Sequence, residues 1–244
     1  TDCFFHFSDL HTAIKTPNSL PIFLNHQIHP RLTDSKAEKI TILTDGVPSY
    51  QTKAVDLSVL KEIPSHKEVT LIIDESHSFG ILGKNGCGIY SHINLPIKRK
   101  IMVSSLGKAF GLNGGVIASD TSFIDQIKNR DTFISAAGMN PAFVQTLADA
   151  SDIYRVQHQK LMENLHYLDT KLIKSEHVKF DKTYPLIYIE MERITDILRA
   201  NKIIIANFRY QKNSKDINRI VITANHTKDD LDQVIEILNQ SKSV

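Results

Sequence analysis

Leu71-Ile72-Ile73-Asp74-Glu75-Ser76-His77 and, further along, Ser104-Ser105-Leu106-Gly107-Lys108-Ala109-Phe110-Gly111 each put reactive side chains at the end of a short apolar run. Residues 69–73 and 101–103 are the two runs, both rich in branched side chains and both followed by polar, glycine-containing sequence. A run that is apolar without alternation reads as a strand buried on both faces, and so as part of a parallel sheet covered by helices. Ligands of such sheets sit beyond the carboxyl ends of the strands, where Asp74, His77, Ser105 and Lys108 all fall.

A strand-end aspartate is often only a helix cap, and a lone lysine in a glycine-containing loop is usually solvated. Asp74 and Lys108 together answer a more specific need. Pyridoxal 5'-phosphate (PLP) requires an amine to form a Schiff base with its aldehyde and a carboxylate to keep its ring nitrogen protonated, so that the ring serves as an electron sink. Other constellations fit less well. Asp74, Glu75, His77 and His92 make a poor metal set, because adjacent Asp74 and Glu75 point to opposite sides of a strand, and no metal is expected. Gly80-x-x-Gly83-x-x-Gly86 is not a dinucleotide fingerprint, and Gly107-Lys108 lacks the preceding spacing of a P-loop.

Outward from these strands, apolar runs at 40–44 and 115–119 alternate with helical stretches near 57–62 and 122–129, the pattern of an α/β domain. Pro141 suits a first helical turn. After it Phe143, Leu147, Ala150 and Tyr154 recur at helical spacing, and Leu161, Leu165, Leu168 and Leu172 resume the stripe. Such a stripe is a core-packing face, here on a long helical connection. Beyond residue 174 the pattern changes: strands at 186–190, 203–206 and 219–223, a helix over 194–200 and a last helix from Lys228, with Thr227 and Asp230 spaced as a capping box. The expected organisation is 1–173 as a large-domain portion with its connecting helix and 174–244 as a small α+β domain.

Four stretches together resemble a known family. They are Thr44-Asp45-Gly46-Val47-Pro48-Ser49; Asp74-Glu75-Ser76-His77-Ser78-Phe79-Gly80 with Gly83, Gly86 and Gly88; the residues from Ser105 to Gly115; and Arg219-Ile220-Val221-Ile222-Thr223-Ala224-Asn225-His226. In this order they resemble the α-oxoamine synthases, PLP enzymes of fold type I. The resemblance implies an aminotransferase-like α/β fold, its mostly parallel sheet lying between helices, with a small C-terminal α+β domain. Lys108 resembles the Schiff-base lysine and Asp74 the partner of the ring nitrogen. His77 and Ser49 resemble the residues that hydrogen-bond the cofactor's phenolic oxygen, His77 also assisting proton transfer. Ser105 resembles the hydroxyl at the cofactor phosphate. Arg219 resembles the arginine that holds the amino-acid carboxylate, a task for which a planar fork of donors suits better than a lysine.

By the same resemblance the expected reaction is a PLP-dependent acyl transfer. A small α-amino acid displaces Lys108, Lys108 removes its α-proton, and the carbanion attacks an acyl thioester of coenzyme A or a carrier protein. Loss of carbon dioxide then leaves an aminoketone in most members. Within the family the reading leans toward the 8-amino-7-oxononanoate synthase reaction of biotin formation, with glycine C-acetyltransferase and serine palmitoyltransferase as rivals. A homodimer sharing its site between subunits is expected.

The chain also departs from the family pattern. Its first residues correspond to a point inside the large domain, which reads as a piece of a longer protein. At Ser135-Ala136-Ala137-Gly138 the family carries a Ser/Thr pair that reaches the neighbouring subunit's phosphate, and Ala137 and Gly138 offer no hydroxyl. This motivates a second expectation, a catalytically silent relative, against which the retention of Lys108 and Asp74 counts. Tyr50-Gln51-Thr52-Lys53 replaces an acidic, glycine-containing turn.

At 244 residues and 41% hydrophobic, the chain can bury a sizeable core. A formal charge of +2 gives no argument for nucleic acid or a membrane, and Lys98-Arg99-Lys100 reads as a solvated loop. No run of eighteen apolar residues occurs. Two cysteines without paired spacing, Cys3 and Cys87, point to a reducing cytoplasm, and Cys87 between two glycines reads as a small filler.

Overall fold

Glu68–Asp74 is the strand around which the first half of the chain is organised. The computed structural model describes residues 3–6, 19–24, 27–48, 51–209 and 216–241, and divides the chain into two compact units, Thr1–Ser151 and Asp152–Val244. The first unit contains β1 (Cys3–His6), β2 (Ser19–Pro21), β3 (Phe23–Leu24), β4 (Gln27–Ile28), α1 (Pro30–Thr33), β5 (Lys39–Asp45), β6 (Glu68–Asp74), β7 (Arg99–Ser105), β8 (Gly115–Ala118), α2 (Thr121–Lys128), α3 (Asp131–Ile134) and α4 (Pro141–Asp149). Its main sheet has the order β2-β1-β5-β6-β7-β8. All neighbours are parallel except β7 and β8. Parallel strands need a crossover of a dozen or more residues, and the short connection from Ser105 to Gly115 permits only the antiparallel pairing seen there.

Register places the strand ends side by side. Asp45 pairs with Asp74, and Asp74 with Val103. Burial along β6 alternates: Val69, Leu71 and Ile73 are buried, whereas Thr70, Ile72 and Asp74 are half-buried. The apolar run predicted full cover on both faces, and the described residues give it on one. Val69 and Leu71 on that face join Ile22, Leu32, Ile40, Ile42, Leu60 and Ile63 in a single cluster. Each such side chain taken out of water contributes about 1.5–3 kcal/mol. The helix read over 57–62 is a 3₁₀ helix, Ser58–Glu62.

The second unit holds most of α5 (Ser151–Lys171), then β9 (Val178–Phe180), β10 (Leu186–Ile189), α6 (Ile194–Ala200), β11 (Ala206–Phe208), β12 (Ile217–Val221) and α7 (Lys228–Gln240). Its four strands form an antiparallel sheet of order β11-β12-β10-β9. Leu161, Leu165 and Leu168 of α5 share a core with Ile187, Ile220, Leu198, Leu231 and Leu238. The division between units therefore falls at the first residue of α5, ahead of the expected boundary after residue 173, because the leucine stripe packs with the C-terminal elements. The capping box is present: Thr227 Oγ1 accepts from the Asp230 amide at 3.2 Å while Asp230 Oδ2 accepts from the Thr227 amide at 2.8 Å. The strand expected over 203–206 begins only at Ala206. Ile203 instead closes α6, its amide donating to the Leu198 carbonyl at 2.9 Å after Lys202 turns the chain with φ of 63°.

Candidate active site

The residues nominated at the ends of β6 and β7 come together in the first unit. Asp74 is the last residue of β6, half-buried, and its Oδ1 accepts from the Ser76 amide at 2.8 Å. That bond turns the chain sharply out of the strand and fixes the carboxylate beside the strand end, the behaviour expected of an aspartate that accepts from a backbone amide two residues on. His77 follows in the same turn and is half-buried.

Lys108 lies in the tight connection between β7 and β8. The base of this connection is closed by the Leu106 amide to Gly114 carbonyl bond at 3.0 Å and the Leu112 amide to Leu106 carbonyl bond at 3.0 Å. Its tip is closed by the Gly111 amide donating to the Lys108 carbonyl at 3.2 Å, and Lys108 itself is exposed. Gly111 has φ of 64°, a conformation that costs a residue with a Cβ about 1–2 kcal/mol. Ser105 starts the turn, its Oγ accepting from the Gly107 amide at 3.1 Å.

A second loop braces the first. Glu75 is fully buried, and its carboxylate accepts from Ser78 Oγ at 2.7 Å, the Ile89 amide at 2.9 Å and the Tyr90 amide at 2.6 Å. A buried carboxylate persists only with such a set of donors. Here they wrap residues 78–90 around it. A Cβ on Gly80 would meet that of Ala109 at 2.6 Å, and the Phe79 and Phe110 rings lie 4.7 Å apart, so this loop packs directly on the Lys108 turn. Sequence reasoning treated Glu75 only as a weak metal ligand. Nothing in its spacing announces an acid that gathers amides from residues 89 and 90. Cys87 is exposed and fills no gap, because the left-handed glycines on either side turn it outward.

Arg219 belongs to the second unit. It lies on β12 opposite Tyr188 and Ala206, its guanidinium 5.1 Å above the Phe208 ring, and its buried Nε has no hydrogen-bond partner among the described residues. Ser49 lies outside the described residues. Ala137 and Gly138 are exposed, and the nearby Ser135 Oγ donates to the Asp131 carbonyl at 2.7 Å, within its own helical turn. The basic cluster is not an open anion patch. Lys98 pairs with Glu68 and Arg99 with Asp120, both at 2.6 Å, and Lys100 Nζ donates to the Ile93 carbonyl at 2.9 Å. The Phe123 amide, then Arg99, hold the Asp120 carboxyl below its ordinary range, while burial pushes the Tyr90 phenol up. A cavity of about 270 Å³ is lined by Tyr90, Ile93, Asn94, Lys98, Arg99 and Asp120 among others, at the opposite end of β7 from Ser105, away from the lysine and aspartate.

The family model for aminotransferase class I and II matches residues 24–238. The chain belongs to this family. It is 27% identical over 212 residues to 8-amino-7-oxononanoate synthase 1 of Bacillus velezensis, covering 82% of this chain and 54% of that protein. The chain thus spans about half the length of the curated relatives it matches. Among solved structures it is similar to 8-amino-7-oxononanoate synthase from Francisella tularensis, with a TM-score of 0.71, 26% identity, and coverage of 99% of this chain and 76% of that one. Serine palmitoyltransferase from S. paucimobilis, solved with PLP and myriocin bound, shares the fold with a TM-score of 0.75 at 17% identity, over 99% of this chain and 66% of that one. These likenesses are to α-oxoamine synthases, and the mostly parallel sheet of the fold is the one expected from the sequence.

Proposed function

We propose that this chain carries the lysine, the aspartate and the carboxylate-binding arginine of a PLP-dependent acyltransferase that joins a small α-amino acid to an acyl thioester, in the manner of 8-amino-7-oxononanoate synthase. The observation that carries the proposal is the pairing of Asp74 and the Lys108 turn at the carboxyl ends of adjacent parallel strands. The donor set fits the cofactor: an exposed primary amine, a half-buried carboxylate and a hydroxyl at Ser105 stand on one rim. PLP, when bound, supplies the electron sink that makes the amino acid's α-carbon acidic.

The chain's own residues do the rest. Lys108 would hold the cofactor through Nζ, and the same amine would take the substrate's α-proton. Asp74 would face the ring nitrogen and keep it protonated. His77 would hydrogen-bond the phenolic oxygen, and the same role is proposed for Ser49 from the family resemblance. Ser105 Oγ accepts from the Gly107 amide, which leaves its hydroxyl proton to be donated, and it would offer that proton to the phosphate. Arg219 grips the substrate carboxylate, and its buried, unpartnered Nε is the kind of donor that a carboxylate would satisfy. The acyl donor is a coenzyme A or carrier-protein thioester. The protein acts as a cytoplasmic homodimer in a biosynthetic role, biotin formation in the first instance.

The test supplies PLP with alanine, glycine or serine and acyl-coenzyme A esters of different lengths, pimeloyl among them, and follows free thiol. Alanine with the pimeloyl ester is expected to release thiol fastest. Release that is fastest with glycine or serine moves the assignment to a sister reaction. A second reading, the catalytically silent relative, rests on the missing hydroxyls at Ala137 and Gly138 and on the local bond that occupies Ser135. Cofactor binding with no thiol release from any pair would select it.

A further inference from the structure

We infer that Ser76 is the positioning residue that locks the Asp74 carboxylate to the Lys108 turn. This rests on the proposed role of those two residues and deepens it. The argument begins where the backbone ladder between β6 and β7 runs out. The Glu75 amide still donates to the Val103 carbonyl at 2.8 Å, as a parallel ladder requires. The next rung would send the Ser105 amide to the Glu75 carbonyl. That carbonyl is already taken, accepting from the Ser78 amide at 2.9 Å and the Phe79 amide at 2.8 Å as the chain turns away. The Ser105 amide donates instead to Ser76 Oγ at 2.8 Å. A side-chain hydroxyl thus replaces the missing rung.

Three bonds then run in series from the acid to the lysine turn. The Ser76 amide donates to Asp74 Oδ1 at 2.8 Å, the Ser105 amide to Ser76 Oγ at 2.8 Å, and the Gly107 amide to Ser105 Oγ at 3.1 Å. Ser76 uses its backbone to hold the acid and its side chain to reach the end of β7. Without its hydroxyl the Ser105 amide loses its acceptor while the rest of β6 and β7 stays paired. The damage is then local, confined to the relative placement of carboxylate and amine.

The experiment compares wild type, Ser76→Ala and Ser76→Thr by PLP titration followed in the visible band, by amide hydrogen exchange at Ser105 and Gly107 without cofactor, and by thermal melting. Ser76→Ala is expected to weaken PLP affinity about five- to tenfold, the scale of one hydrogen bond, and to speed exchange at Ser105, with a melting temperature close to wild type. Ser76→Thr, which keeps the hydroxyl, is expected to restore both. A wild-type protein that binds PLP while Ser76→Ala matches it in affinity and in Ser105 exchange overturns the inference alone. So does a Ser76→Thr variant as weak as Ser76→Ala. A wild-type protein that forms no PLP band overturns the cofactor reading, and this inference with it.

Discussion

Gly88 shows how closely single residues are specified around the candidate site. Its φ is 75°, and a Cβ there would lie 2.2 Å from Glu75 Oε2. Gly88→Ala is therefore expected to cost at least about 1 kcal/mol from the backbone alone, and more from the displaced carboxylate. Urea unfolding checks this, and a variant as stable as wild type would show that Glu75 does not organise the loop. At Arg219 the expected consequence is kinetic. Arg219→Lys keeps the charge but loses the fork, so KM for the amino acid should rise roughly tenfold while PLP affinity holds. Asp74 and Lys108 could be nominated from the sequence because charged groups at the ends of apolar runs stand out, and Arg219 could be nominated through the family resemblance. Glu75 and Ser76 did not stand out in the same way, because their partners are mostly backbone amides, which no side-chain pattern reveals.

Elements followed their periodicities where burial decides the structure, and departed from them where a terminus did. The helix over 194–200 and the cap at Thr227 appear as read, each with a local physical signal. β11 starts later than read because Ile203 serves the end of α6, a competition that apolar character alone does not resolve. The leucine stripe of α5 was legible as a core face, but which core it joins is a tertiary fact. Leu165→Ala, at a fully buried position of that stripe, is expected to destabilise the protein by about 2–5 kcal/mol. Ile204→Ala, at a residue 90% exposed, should fall within about 0.5 kcal/mol of wild type. Chemical denaturation of the two variants side by side separates core from surface, and equal losses would contradict the packing described.

For the molecule as a whole, a charged network in the first unit sets a pH dependence that composition does not show. Lys67 is buried, with its Nζ 2.6 Å from Asp34 Oδ1, 3.3 Å from Glu38 Oε1 and 2.8 Å from the Lys36 carbonyl. The Arg31 guanidinium, then Lys67, hold the Glu38 carboxyl below the usual carboxylate range. A carboxyl lowered on folding stabilises the fold above its ordinary range, and that contribution is lost as pH falls through the lowered value. Glu38→Gln is therefore expected to melt below wild type at pH 7, with the gap closing toward pH 3. A gap constant with pH would remove Glu38 from the network. On the same scale, the family and the mostly parallel sheet were legible from four stretches of sequence, whereas the placement of Ser49 lies outside the described residues. The central claim is that Lys108 carries PLP. Its most direct measurement is the visible absorption spectrum of the protein with PLP, before and after borohydride, beside Lys108→Ala. A band that borohydride abolishes, leaving a reduced label on the Lys108 peptide and absent from the variant, is the predicted result. The same reducible band in Lys108→Ala, or none in wild type with excess cofactor, would contradict it.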